Sequence, residues 1–262
     1  MTRIAVRAAQ YLCDLFRVDA SELVSDRGIF HSKEEDVETF RQQQQREAQD
    51  KRDRLAAIID AGRTLKEADT TGKALDELTL TIGRPLQYGL INRQLSRNLS
   101  PNYPEQFEKS ISQTPWLDRY QRLTQSGLMV SNLMYNTTPK PIRVDKELIL
   151  SPLWKREKLL GLLQNVGPGR DPWQYDSKNH DVKWYWPMRM GIVESNGRHS
   201  IACGIIGGEG TLVPQESYDL SAIYDYISCD GEDYFYTETQ ERMGKVHDET
   251  LAAVFELGRL RL

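Results

Sequence analysis

The residues best suited to chemistry stand close together in IVESNGRHSIACGIIGGEG, residues 192–210. Glu194 precedes an Asn196-Gly197 turn, and Arg198, His199 and Ser200 follow it. Arg198 brings a guanidinium fork that matches phosphate oxygens, His199 a proton donor adjustable near neutrality, and Ser200 a hydroxyl. The set reads as a phosphate-facing turn in which Asn196, Gly197, Arg198 and Ser200 hold the anion. Glu194 and His199 are the candidate catalytic residues: either could activate water while Arg198 stabilises charge on phosphorus. A second reading assigns no chemistry, because Asn and Ser are ordinary helix caps and a first-turn Arg or His often meets only solvent or an acid.

A strand and a helix must carry this turn. Ile192 and Val193 predict a buried strand end, and the small residues Ala202, Cys203 and Gly204 predict a helix that packs closely. The unpaired N–H groups and the dipole at that helix's N-terminus attract an anion. The glycines of GIIGGEG have loose dinucleotide-fold spacing, but they follow the helix instead of joining a strand to it, so they read as a terminator and turn. The sequence contains no GxxxxGK[ST], HExxH or GxSxG stretch, which removes several common NTPase, metalloprotease and hydrolase assignments.

Other residues are weighed beside this turn. Arg156, after SPLWK, is a candidate phosphate contact, or else a surface residue at a helix entry. His180 lies between a polar loop and an aromatic run that could bring it near the turn. Trp173, Trp184 and Trp186 suit base stacking in type, but aromatic clusters beside a sheet are more often packing. His31 and His247 have no ligand spacing with His180 or His199, so no histidine metal centre is expected. A magnesium held by Glu194 or Glu209 is conceivable only with a nucleotide bound.

The remaining chain sets the frame. Its 39% hydrophobic and 27% charged residues describe a chain that folds, and a net charge of -4 argues against binding nucleic acid through bulk positive charge. Cys13, Cys203 and Cys229 are odd in number and far apart, which fits a reducing cytoplasm without disulfides. The opening residues are apolar at helical spacing, Ile4 to Leu15, but Arg3, Arg7 and Asp14 interrupt them, so neither export nor membrane insertion is expected.

A long charged helix is predicted from Ser32 to Ala68, with its four glutamines on an exposed face. Helical character resumes from Gly72, broken at Gly83-Arg84-Pro85, and again from Glu105 to Leu133 apart from Pro115. Beyond residue 138 short β-branched or aromatic runs alternate with turns, including an Asp230-Gly231 hairpin. A final helix is expected over residues 238–262, with Met243, Val246, Val254, Leu257 and Leu260 on one stripe. It could pack in cis or against a second copy. The expected organisation is α+β: a helical domain over 1–138, a mixed domain over 139–237 and a C-terminal helix.

The order of parts carries a resemblance. PIRVDKELILSPLWKREKLLGLLQNVG is similar to the opening of ParB-like N-terminal domains, where a strand leads through Pro and Arg to a helix. WPMRMGIVESNGRHSIACGIIGGEGTLVPQESYDLS resembles that family's strand, Gly-polar-His/Arg turn, helix, small loop and Val-Pro strand. The likeness covers residues 139 to 230 and looks like the ParB/sulfiredoxin superfold, which includes CTP-dependent DNA clamps, nucleases and an ATP-using reductase. Against an Asp-Gly-Gln-His-Arg motif only Gly197 and His199 are identical, and an Asn-Gly-x-His-Ser group of bacterial proteins is closer. Arg198 stands where sulfiredoxins carry their reactive Cys and where ParB clamps carry a Glu, so neither reaction transfers.

The resemblance implies a nucleotide- or nucleic-acid-phosphate-binding protein, with NTPase or nuclease activity open. Its cofactor is unknown, a nucleoside triphosphate with magnesium being the one the turn would take. The alternative is a non-catalytic interaction module of a mobile-element or phage-defence system, meeting a protein partner or a second copy through its helical regions.

Overall fold

The computed structural model describes residues 29–95 and 118–262. These fall into two compact units divided between Gln49 and Asp50. The composition boundary near residue 138 lies inside the second. The helix expected over residues 4–15 lies outside the described residues, as does the 105–117 part of the helix expected after it.

In the first unit the described residues begin helix α1 (Ile29–Ala68). Gln42 to Gln45 are all exposed, with Gln42 and Gln43 bonded to Glu38 and Glu47 four residues away. The second unit starts on the same helix and continues into α2 (Lys73–Leu95). Asp69 begins α2 by accepting the Thr71 and Ala74 amides.

The break expected at Gly83-Arg84-Pro85 is absent, and α2 runs straight through it. Pro85 forfeits one helical hydrogen bond, worth with its clash about 3 kcal/mol. Leu86, Leu90 and Ile91 are buried on the same helix, each contributing roughly 1.5–3 kcal/mol. Gln87 adds a bond to the Ile149 carbonyl, so packing outweighs the local penalty. The helix expected to reach Leu133 is also absent from Asp118 onward. The chain there turns at Gly127, where Leu123 N donates to Leu128 O (2.7 Å), and only Val130–Leu133 form a short 3-10 helix. The positive φ of Gly127 suits a turn and stops a helix.

The chain then alternates. It forms β1 (Tyr135–Asn136), β2 (Ile142–Arg143), β3 (Leu148–Leu150), α3 (Arg156–Asn165), β4 (Val182–Trp186), β5 (Met190–Val193) and α4 (Arg198–Gly207). After these come β6 (Thr211–Leu212), β7 (Glu216–Asp219), β8 (Ile227–Cys229), β9 (Asp233–Tyr236), β10 (Arg242–Lys245) and α5 (Glu249–Leu260). The central sheet has the order β1-β7-β4-β5-β3, with β3–β5 and β4–β7 parallel and the other pairs antiparallel. The architecture is mixed α and β, with helices before the sheet and one helix closing the chain.

Strand alternation sends side chains to two cores. Leu148, Leu150, Tyr185, Met190 and Ile192 face α2 and α5, meeting Leu86, Leu90, Val254 and Phe255. Ile149, Val182 and Val193 face α3 and α4, meeting Leu159, Ile201, Ala202 and Ile205. The sheet is thus covered on both sides, and α4 is held against it by small residues.

The last helix is shorter than expected. Residues 238–248 do not continue it: Met243 lies in β10, paired with β9, and Val246 donates its N–H to Glu232 O. The helical stripe there matches a strand position equally well, and pairing with β9 decides it. Asp248 caps α5 by accepting the Thr250 and Leu251 amides, and Leu251 to Gly258 are buried all round, so the helix packs in cis. The Asp230-Gly231 hairpin forms as expected, with Gly231 at φ 97° and the Asp230 carboxylate accepting two turn amides. Among the described residues no helix is long and apolar enough to cross a membrane.

Candidate functional site

The turn after β5 is laced to the loop before β4. Glu194 N donates to Asp181 O (3.1 Å) and Asp181 N to Asn196 O (3.3 Å). Gly197 then adopts φ 84° and its carbonyl accepts Ile201 N (2.8 Å), opening α4. Only glycine fits: a Cβ there would lie 2.5 Å from Asn179 O and 2.7 Å from the His180 ring. The strand, turn and helix expected from the sequence are all present, and Gly208 at φ 66° ends α4.

Ser200 faces inward. Its Oγ lies 3.0 Å from His180 Nε2 and accepts the Trp173 indole N–H at 3.1 Å. The pair looks like a nucleophile and its base, but the proton is on the wrong nitrogen. His180 Nδ1 accepts the Asp176 amide (3.0 Å), so the neutral ring carries its hydrogen on Nε2 and donates it to Ser200. His180 is stacked on Trp173 (centroids 5.1 Å, 12° between planes). His180 and Trp173 therefore support the turn from below.

His199 joins two helices. Its Nε2 accepts the Lys155 amide at 3.2 Å, and the ring meets Trp154 edge-on at 5.4 Å. Ser151 Oγ donates to the Arg198 carbonyl (2.7 Å), and the Arg198 guanidinium donates to the Glu194 and Pro152 carbonyls. The N-termini of α3 and α4 are thereby tied side by side. Asn196 is exposed at the lip of the turn, and Arg156 is exposed at the first position of α3.

Glu194 is elsewhere. Its carboxylate pairs with Lys183 Nζ (2.9 Å), which also lies 3.6 Å from Glu216. Lys183 alternates with Val182, on the side of Tyr185 and Ile192, so this ion pair sits on the sheet face opposite α4. The structure brings Asn196, Gly197, Arg198, His199 and Arg156 to one place and leaves Glu194 connected to it only through its carbonyl. Glu209 is engaged as well, accepting the Trp173 amide (3.1 Å). Among the described residues no group of three His, Cys, Asp or Glu is placed to hold a metal ion.

The residue that sequence reasoning passed over is Trp154. It is 54% exposed beside His199, with Lys158 Nζ 4.7 Å from its ring centroid. Lys155 and Arg156 are exposed next to it, and Glu157 is the acid in that stretch. The signal was legible as WKREK, an aromatic residue interleaved with cations at a helix start.

Burial lowers the pKa of both His180 and His199 below the ordinary 6.5, and for His199 the charges of Lys158 and Arg198 act in the same direction. The unfolded chain then takes up protons before the folded one. Stability held above about pH 6.5 is expected to fall as pH drops below it. Melting temperatures from pH 7.5 to 5 check this: the fall should flatten in His180→Gln and His199→Gln, and an unchanged slope in both would refute it.

Residues 38–262 match the model of a family of unknown function (DUF6710). No curated protein and no solved structure matches the chain.

Proposed function

The chain belongs to the DUF6710 family, and from that premise we propose that it binds a nucleotide or nucleic acid through phosphate at the joined N-termini of α3 and α4. One observation carries this reading: the exposed Trp154 stands among Lys155, Arg156 and Lys158 at the start of α3, which His199 and Arg198 tie to the N-terminus of α4. Helix N-termini and cations supply attraction for phosphate, and an exposed indole supplies a face for a base. The likeness of residues 139 to 230 to ParB/sulfiredoxin-like domains points the same way.

Binding is favoured over turnover. Glu194 is neutralised by Lys183 on the far face, His199 Nε2 is occupied by the Lys155 amide, and Ser200 receives a proton from His180 instead of giving one. None of the three is poised to activate water here.

Titration with ATP, CTP, GTP and short DNA and RNA strands, with and without magnesium, tests the reading. A bound strand should show a log–log salt slope that shrinks by about 1.4 in Lys155→Ala/Arg156→Ala, at roughly 0.7 per phosphate contact. A folded wild type that binds none of these ligands overturns it.

A further inference from the structure

A groove of about 720 Å3 opens between the Arg122–Ser126 turn and the loop from Tyr236 to Glu241 that joins β9 to β10. That volume suits a small organic ligand. Both walls are fixed by their own backbone. On one side Leu123 N donates to Leu128 O (2.7 Å), and on the other Gln240 N donates to Tyr236 O (2.8 Å) and Tyr236 N to Glu241 O (3.0 Å).

Two half-buried tyrosines, Tyr226 and Tyr236, line it. The Tyr236 phenol donates to the Arg122 carbonyl (3.0 Å) and accepts from Gln121 Nε2 (3.0 Å), so its ring is already held in place. A ligand meeting it does not have to order that side chain. The same groove carries the carboxylates of Asp225, Glu238 and Glu241 against the single guanidinium of Arg122, a formal balance of minus two.

Several carboxylates in other parts of this unit are matched by cations, as Asp76 is by Arg189 and Arg261, and Asp230 by Arg52. Among the described residues, none of the three in the groove takes part in an ion pair. A preformed cleft with aromatic walls and an uncompensated negative rim attracts a cation, both by charge and through the ring faces.

We propose that this groove binds an organic cation, an alkylammonium or guanidinium group, either on a free polyamine or on a lysine or arginine side chain of a peptide. The ligand is of opposite charge to the one taken at the α3–α4 site, and the two sites are independent.

Isothermal titration with spermidine and with blocked Gly-Lys-Gly and Gly-Arg-Gly peptides tests it. At least one probe should bind wild type, more weakly as salt rises. Glu238→Gln/Glu241→Gln should weaken that binding roughly fivefold or more. Both residues are exposed, so the variant should melt with wild type, and Lys155→Ala/Arg156→Ala should bind the probe unchanged. Preference for spermidine identifies a free polyamine and preference for a peptide identifies a basic segment. The proposal is overturned if no probe binds wild type at millimolar concentration, or if the double variant binds as wild type does.

Discussion

Gly197→Ala is expected to destabilise the protein by about 3 kcal/mol and to disable ligand binding at the α3–α4 site. Two costs combine. A side chain at φ 84° meets the left-handed penalty, of roughly 1–2 kcal/mol. The added Cβ would also lie 2.5 Å from Asn179 O and 2.9 Å from His180 Cα, both of them backbone atoms. Neither can move cheaply, because His180 is stacked on Trp173 and Asp181 is bonded to both Glu194 and Asn196. Gly208 separates the two costs: its φ is 66°, yet a Cβ there meets nothing within 4 Å. Gly208→Ala should therefore lose only about 1 kcal/mol, the torsional part. Denaturant melts of the two variants side by side make the comparison, and equal losses would show that the close approach to residues 179 and 180 carries no weight.

The same neighbourhood shows what a linear reading can and cannot recover. The strand, turn and helix around Gly197 are legible because apolar alternation stops at an Asn-Gly pair and small residues follow, all within local reach. The purpose of Ser200 is not, since the groups that hold its hydroxyl come from positions 173 and 180. Glu194 was misplaced for a different reason. Adjacency in sequence put it beside Arg198, whereas the two-residue pleat puts it with Met190 and Ile192, facing Lys183. Pro85 and Met243 show tertiary packing and strand pairing deciding against local propensity. Trp173 is packing, as an aromatic residue beside a sheet suggests, whereas Trp154 stands at the surface beside the turn through a contact with His199 that joins positions 154 and 199, which no local pattern shows.

Trp154→Ala should therefore reduce affinity for a base-bearing ligand by about 1–3 kcal/mol, or roughly 5- to 150-fold, with little change in melting temperature. The indole is 54% exposed, so removing it opens no cavity. Its edge contact with His199 and the ammonium of Lys158 over its ring hold it in position, which limits the entropy lost when a base stacks. Trp154→Phe keeps an aromatic face and should recover most of the loss. An abasic strand of the same length separates stacking from charge, because its phosphates still meet Lys155 and Arg156 while no base meets the ring. If the abasic strand and the intact strand lose affinity equally in Trp154→Ala, the indole acts only by arranging its cationic neighbours and the stacking assignment fails. If only the intact strand is affected, the two halves of the site divide the ligand between them: helix N-termini and cations hold the phosphate, and Trp154 reads the base.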